Sequence, residues 1–91
     1  MKIRVSNRTR RGFANETLTA AMTVEERVNA VKEAEVVTVI YKPAERPAAD
    51  EQIGKIVALR ADLTPRAPGV FGGSGDHYIA LTSPETTPAL L

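Results

Sequence analysis

Eight consecutive residues, 35–42 (Glu-Val-Val-Thr-Val-Ile-Tyr-Lys), constrain the fold more than any other part of the chain. β-Branched and aromatic side chains suit a pleated, packed surface, so the run reads as a strand. Val37, Val39 and Tyr41 fall on one face, and Val36, Thr38 and Ile40 on the other. Neither face is clearly polar, which predicts an interior strand covered on both sides. The rest of the chain has to supply that cover.

Residues 23–34 supply part of it. Thr23 followed three positions later by Glu26 is a capping box, which satisfies two amides that a helix start leaves unpaired. Glu25 and Glu26 sit at the positive end of the helix dipole. Val24, Val28, Val31 and Ala34 make an i, i+4, i+7 stripe for the core. The period changes near Glu35, where the helix must give way to the strand. Pro43 ends that strand, because it cannot donate a ladder hydrogen bond.

The remaining segments are less regular. Residues 2–5 alternate as a short strand with Ile3 and Val5 inward, and residues 6–12 read as a turn or loop with Gly12 free to take positive φ. Leu18, Ala20 and Met22 alternate with Thr17 and Thr19, as a second short strand or an early helical turn. Residues 48–53 suit one helical turn with Pro47 at its first position, broken by Gly54. Val57, Leu59, Ala61 and Leu63 then alternate as a strand. The competing reading is a helix over 48–63, in which Gly54 costs about 1 kcal/mol. Residues 64–76 form a Gly/Pro-rich loop, 77–82 a closing strand, and 83–91 a frayed tail unless Leu90 and Leu91 dock.

These elements predict one compact α+β domain over residues 1–82. It has a small, mostly antiparallel sheet of about four strands and one principal helix (roughly 23–34) on one face. One helix covers one face of the central strand. The opposite face is therefore expected near a homo-oligomeric interface, a two-fold dimer or higher.

Charge is distributed unevenly. Residues 1–12 hold five basic residues and no acid, and the remainder holds seven basic and eleven acidic residues, giving +5 against −4. Arg4, Arg8, Arg10 and Arg11 offer planar, bidentate donors for phosphates. Gly73 and Ser74, within a stretch of three glycines and a serine, offer exposed amides to an anion. Their spacing is not that of a P-loop or a dinucleotide fingerprint. Phe71, His77 and Tyr78 are the candidate partner contacts. Aromatic residues are only 4% of the chain and Trp is absent, which argues against a row of base-stacking platforms.

No cysteine is present, which removes disulfides, thiolate metal sites and thiol nucleophiles. His77 is the lone histidine and the natural general base, but neighbouring strand residues point to opposite faces, so Asp76 is poorly placed to orient it. The chain therefore reads as a non-enzyme without a cofactor or metal, His77 being its only candidate for a hydrolase-type site. With no apolar leader and no apolar run of eighteen residues, the expected location is cytoplasmic and off the membrane. The leading functional expectation is a small binding protein that captures a nucleotide or nucleic-acid phosphate through its Arg-rich edge. The alternative is a protein–protein interaction or assembly module, such as a viral accessory, inhibitory or structural protein.

Overall fold

The computed structural model describes residues 1–84. Two N-terminal strands, β1 (Lys2–Thr9) and β2 (Gly12–Thr17), form a hairpin. The helix α1 (Val24–Glu33) leads into β3 (Val36–Tyr41), and a 3-10 turn (Pro43–Glu45) continues into a second helix, α2 (Arg46–Leu59). Two short strands follow, β4 (Thr64–Pro65) and β5 (Gly69–Val70), and then β6 (His77–Thr82). The six strands make one antiparallel sheet in the order β2-β1-β3-β6-β4, with β5 also paired to β6. The expected tail falls mostly on residues 85–91, outside the described residues; Ser83 is buried.

The strand predicted over 35–42 is β3, and it lies between β1 and β6. Its Val37, Val39 and Tyr41 face a core completed by Val5, Ile79 and Leu81 of the flanking strands, Val31 and Ala34 from the α1 side, and Ala49 and Ile56 of α2. Both helices pack on this one face.

Helix α1 starts as its sequence requires. The Thr23 hydroxyl accepts from the Glu26 amide (3.0 Å), and the Glu26 carboxylate accepts from the Thr23 amide (2.8 Å). The expected core stripe is shorter than its spacing suggests. Val31 and Ala34 are buried and Val28 is half-buried, but Val24 is 68% exposed. Val24 is the first residue of the helix and lies outside the core cluster.

Residues 46–59 correct the second half of the sequence reading. Val57 and Leu59 of the predicted strand are instead the end of a fourteen-residue helix, Ala61 and Leu63 lie in the turn region after it, and the described residues hold two α-helices rather than one principal one. Gly54 lies exposed inside α2 without breaking it. Burial of Ala49 and Ile56, with Ile53 and Val57 packed against the same core, offsets a glycine cost of about 1 kcal/mol. The N-terminal hairpin is also longer than expected. β1 continues through the predicted 6–12 loop to Thr9, the chain turns at Arg10 and Arg11, and Gly12 takes φ +115°. The second strand is residues 12–17, not the 18–22 alternation, although the Leu18 amide still donates to the Ile3 carbonyl (2.8 Å).

The capping carboxylates make acid stability a testable property. The Thr23 amide, aided by the Thr23 hydroxyl contact, holds Glu26 below the usual glutamate pKa. The Lys42 amide and then the N-terminal ammonium do the same for Glu45. A folded-state pKa below the unfolded one gives stability that is complete above the ordinary glutamate range and lost as pH falls through the lowered value. Thermal midpoints should therefore be flat from neutral pH down to that range and then fall. Glu26→Gln should flatten the fall and leave the acid limit unchanged; identical pH profiles for the two proteins would remove Glu26 from this role.

Candidate nucleic-acid interface

The face of the sheet away from the helices carries Lys2, Arg4, Ser6 and Arg8 on β1, because alternate residues share a face. Strand register aligns Arg4 with Thr17 on β2 and Thr38 on β3, and Thr38 with Ala80 on β6. Phe13, Val36, Ile40 and Tyr78 occupy the same face. None of its strand positions holds a carboxylate.

Three aromatic rings belong to this face, Phe71 and Tyr78 at its Lys2 end and Phe13 at its Arg8 end. Phe71, just after β5, turns back over Tyr78 with ring centroids 4.6 Å apart at 41°. The Arg4 guanidinium lies 5.9 Å from the Phe71 centroid, within cation–π range. Arg4 starts on β1 and Phe71 lies beyond β6, so the arginine side chain crosses β3 to reach it. Thr38, on β3 beside Arg4, is 4% exposed. Arg4 Nε is enclosed and makes no hydrogen bond. Tyr78 in turn requires a glycine opposite it: a Cβ at Gly69 would overlap the end of the Tyr78 ring. Arg8 stands over Phe13, its cross-strand partner, at 5.7 Å.

The anion-binding residues expected from the sequence do not form one site. Arg10 and Arg11 are the turn of the β1–β2 hairpin. Gly73 and Ser74 are at the tip of the loop before β6, which is closed by the Phe71 amide donating to the Asp76 carbonyl (2.8 Å). Lys2 pairs with Ile40, and the next residue of β3, Tyr41, pairs with His77, so this loop lies at the Lys2 end of β1 and the arginine turn at the other. Seven residue steps separate those ends, about 23 Å at ~3.3 Å each. Arg8 is engaged by Glu35, whose carboxylate accepts from the Arg8 amide (2.7 Å) and lies 3.9 Å from Arg8 Nε. Arg4, the most central of the four, is the arginine that meets the aromatic rings.

The partner-contact candidates divide between faces. Phe71 and Tyr78 share the open face, whereas His77 is on the core face, edge-on to Tyr41 with centroids 5.7 Å apart. Asp76 faces Lys42 Nζ at 3.4 Å. Gly73 and Gly75 both take positive φ (87° and 75°), and the Ser74 hydroxyl accepts from the Asp76 amide at 3.3 Å. These glycines serve the turn geometry. Among the described residues no three His, Asp or Glu side chains gather as a metal site requires, and no helix is long and apolar enough to cross a membrane.

The sequence reading missed Lys2 and Phe13 as members of this surface. Their period-two spacing with Arg4 and across the hairpin would have revealed them had β1 and β2 been assigned at full length. No family model matches the chain, and no curated protein or solved structure matches it.

Proposed function

We propose that the protein binds single-stranded nucleic acid across the open face of its sheet. The observation that carries this reading is the placing of Lys2, Arg4 and Arg8 along one face with Phe13, Phe71 and Tyr78, a face whose strand positions hold no carboxylate. Cationic side chains track a phosphate backbone, and exposed rings stack bases with little regard to sequence. An open sheet is wide enough for a splayed strand, whereas among the described residues no helix suits the major groove of a duplex. The chemistry is capture, without bond making or breaking.

A fluorescein-labelled oligonucleotide titrated with the protein tests this. Two or three phosphates neutralised by Lys2, Arg4 and Arg8 give a log–log salt slope of about −1.5 to −2 for a single strand. Duplex of the same sequence should bind more weakly, because its bases are already stacked. Absence of binding at low salt, or salt-independent binding, would overturn the reading.

A second copy of the chain is the competing occupant of this face. Val36, Ile40 and Ala80 are half-buried there with no helix above them, as a two-fold sheet-to-sheet contact would use. Light scattering separates the two: a dimer that dissociates when the oligonucleotide is added would share the face, and a dimer indifferent to it would not.

A further inference from the structure

The helical side of the molecule carries a second surface, which shares Lys2, at the start of β1, with the open sheet face. A cleft of about 560 Å³, open to solvent, runs between α1 and α2, and residues 1–3 and 18–20 line it as well. Val24, Val28 and Val31 form one wall, and Ile56 and Leu59 the other. Its margin holds Lys2, Arg27 and Lys55, and no Asp or Glu lines it. The carboxylate nearest Lys55 is Glu51, one turn earlier on the same helix at 3.7 Å. Both side chains of that pair are exposed, so the pairing is weak and exchangeable.

We propose that this cleft docks a short acidic amphipathic helix of a partner protein. The walls have helical spacing themselves, Val24 to Val31 on α1 and Gln52 to Leu59 on α2. Each spans seven residue steps, about 10.5 Å at ~1.5 Å per residue, or two turns. A guest helix with apolar anchors at i, i+3, i+4 and i+7 matches that length. Cations along an apolar cleft select carboxylates on the flanks of the guest and disfavour basic ones. The exposure of Val24 (68%) and Leu59 (38%) on the rim is the surface such a guest would cover. Nothing in this inference depends on the sheet face binding nucleic acid.

The test uses a fluorescein-labelled helical peptide with leucine at the four anchor positions and glutamate beside them, and a second peptide with lysine in place of glutamate. The acidic peptide should bind at least tenfold more tightly, with amide shifts confined to α1, α2 and the lining residues 1–3 and 18–20. Val24→Glu should weaken it at least tenfold; this position is exposed and in the first helical turn, where a carboxylate suits the helix, so the loss would not come from unfolding. An Arg27→Glu/Lys55→Glu double variant should reverse the preference to the basic peptide. Equal binding of the two peptides, or binding of neither, overturns the proposal. So does decanoate shifting the same amides at lower concentration than the peptide, which would make the cleft a site for a small anionic amphiphile. Self-association abolished by Val24→Glu overturns it as well, in favour of a second copy.

Discussion

Replacing Arg60 by alanine should lower the thermal midpoint by roughly 10–20 °C, the largest effect expected of any single surface substitution. Arg60 closes α2 and reaches back to the end of α1. Its Nη1 shares its two N–H groups among the carbonyls of Val31 (3.0 Å), Lys32 (2.8 Å) and Ala34 (3.0 Å) at the end of α1, where the Val31 carbonyl also accepts from the Ala34 amide (3.4 Å). The other side of the guanidinium forks onto Asp62, with Nε and Nη2 each 2.8 Å from a carboxylate oxygen. One planar cation thus ties the C-termini of both helices to the chain entering Leu63, which is buried. The cation also suits the negative end of the α1 dipole.

Magnitudes decide which contact matters. Asp62 is about half exposed, so its pair with Arg60 is screened by solvent and contributes little. The carbonyl contacts involve a side chain only 19% exposed and a charged donor. Losing them should cost about 2–3 kcal/mol in total after allowing for water that replaces part of the bonding. A domain of this size shifts by about 4–8 °C per kcal/mol. Arg60→Lys should recover less than half, because a single ammonium cannot serve the carbonyls and the carboxylate together. Asp62→Asn should cost little at neutral pH, while removing the acid-side loss that follows from Arg60 holding the Asp62 pKa down. An Arg60→Ala midpoint within about 2 °C of wild type would show that water caps α1 equally well.

Arg60 also illustrates what a sequence conceals. Its carbonyl partners lie 26–29 residues upstream, and no local pattern at Arg60 points to them. By contrast, β3 and the start of α1 were legible because their causes are local: a β-branched run that suits only a packed strand, and a Thr–Glu pair three residues apart. Helix α2 failed for a physical reason. Its apolar residues satisfy a helical period (Ala49, Ile53, Ile56) and, further on, a strand period (Val57, Leu59, Leu63). Gly54 weakens the first reading locally, and only the open core beside β3 decides for it.

The candidate site was legible in its parts. The sequence marks Arg4 and Arg8 as candidate anion-binding residues and Phe71 and Tyr78 as candidate contacts, but as two separate groups. Treating 1–12 as one basic edge merged residues that a strand sorts by face and distance: Arg4 mid-sheet, Arg8 held by Glu35, Arg10 and Arg11 at a remote turn. The low aromatic content argued against stacking, yet three of the four Phe and Tyr residues share the face with Arg4. Composition reports how many rings exist; register determines where they meet.

Arg4→Met should stabilise the fold and weaken oligonucleotide binding at the same time. Arg4 Nε is enclosed without a hydrogen bond, and an unsatisfied buried donor on a charged group costs about 1–3 kcal/mol. Methionine keeps a flexible apolar stem against Thr38 and Phe71 and removes the orphaned donor. Part of the gain is lost with the 5.9 Å cation–π contact, about 0.5–1 kcal/mol, so a net increase of roughly 0.5–1 kcal/mol is expected. On the proposed reading the same change deletes the central cation of the interface, and affinity should fall about tenfold, the equivalent of ~1.4 kcal/mol. Its salt slope should become shallower by about 0.7, the share of one phosphate. Arg11→Met, at the distant hairpin turn, is the control and should move neither property appreciably. Opposite signs for stability and binding identify a residue held in a strained environment for the sake of a ligand. A variant that loses stability would make Arg4 a structural strut under Phe71. One that gains stability and binds undiminished would leave the sheet face without the cation on which the proposed function depends.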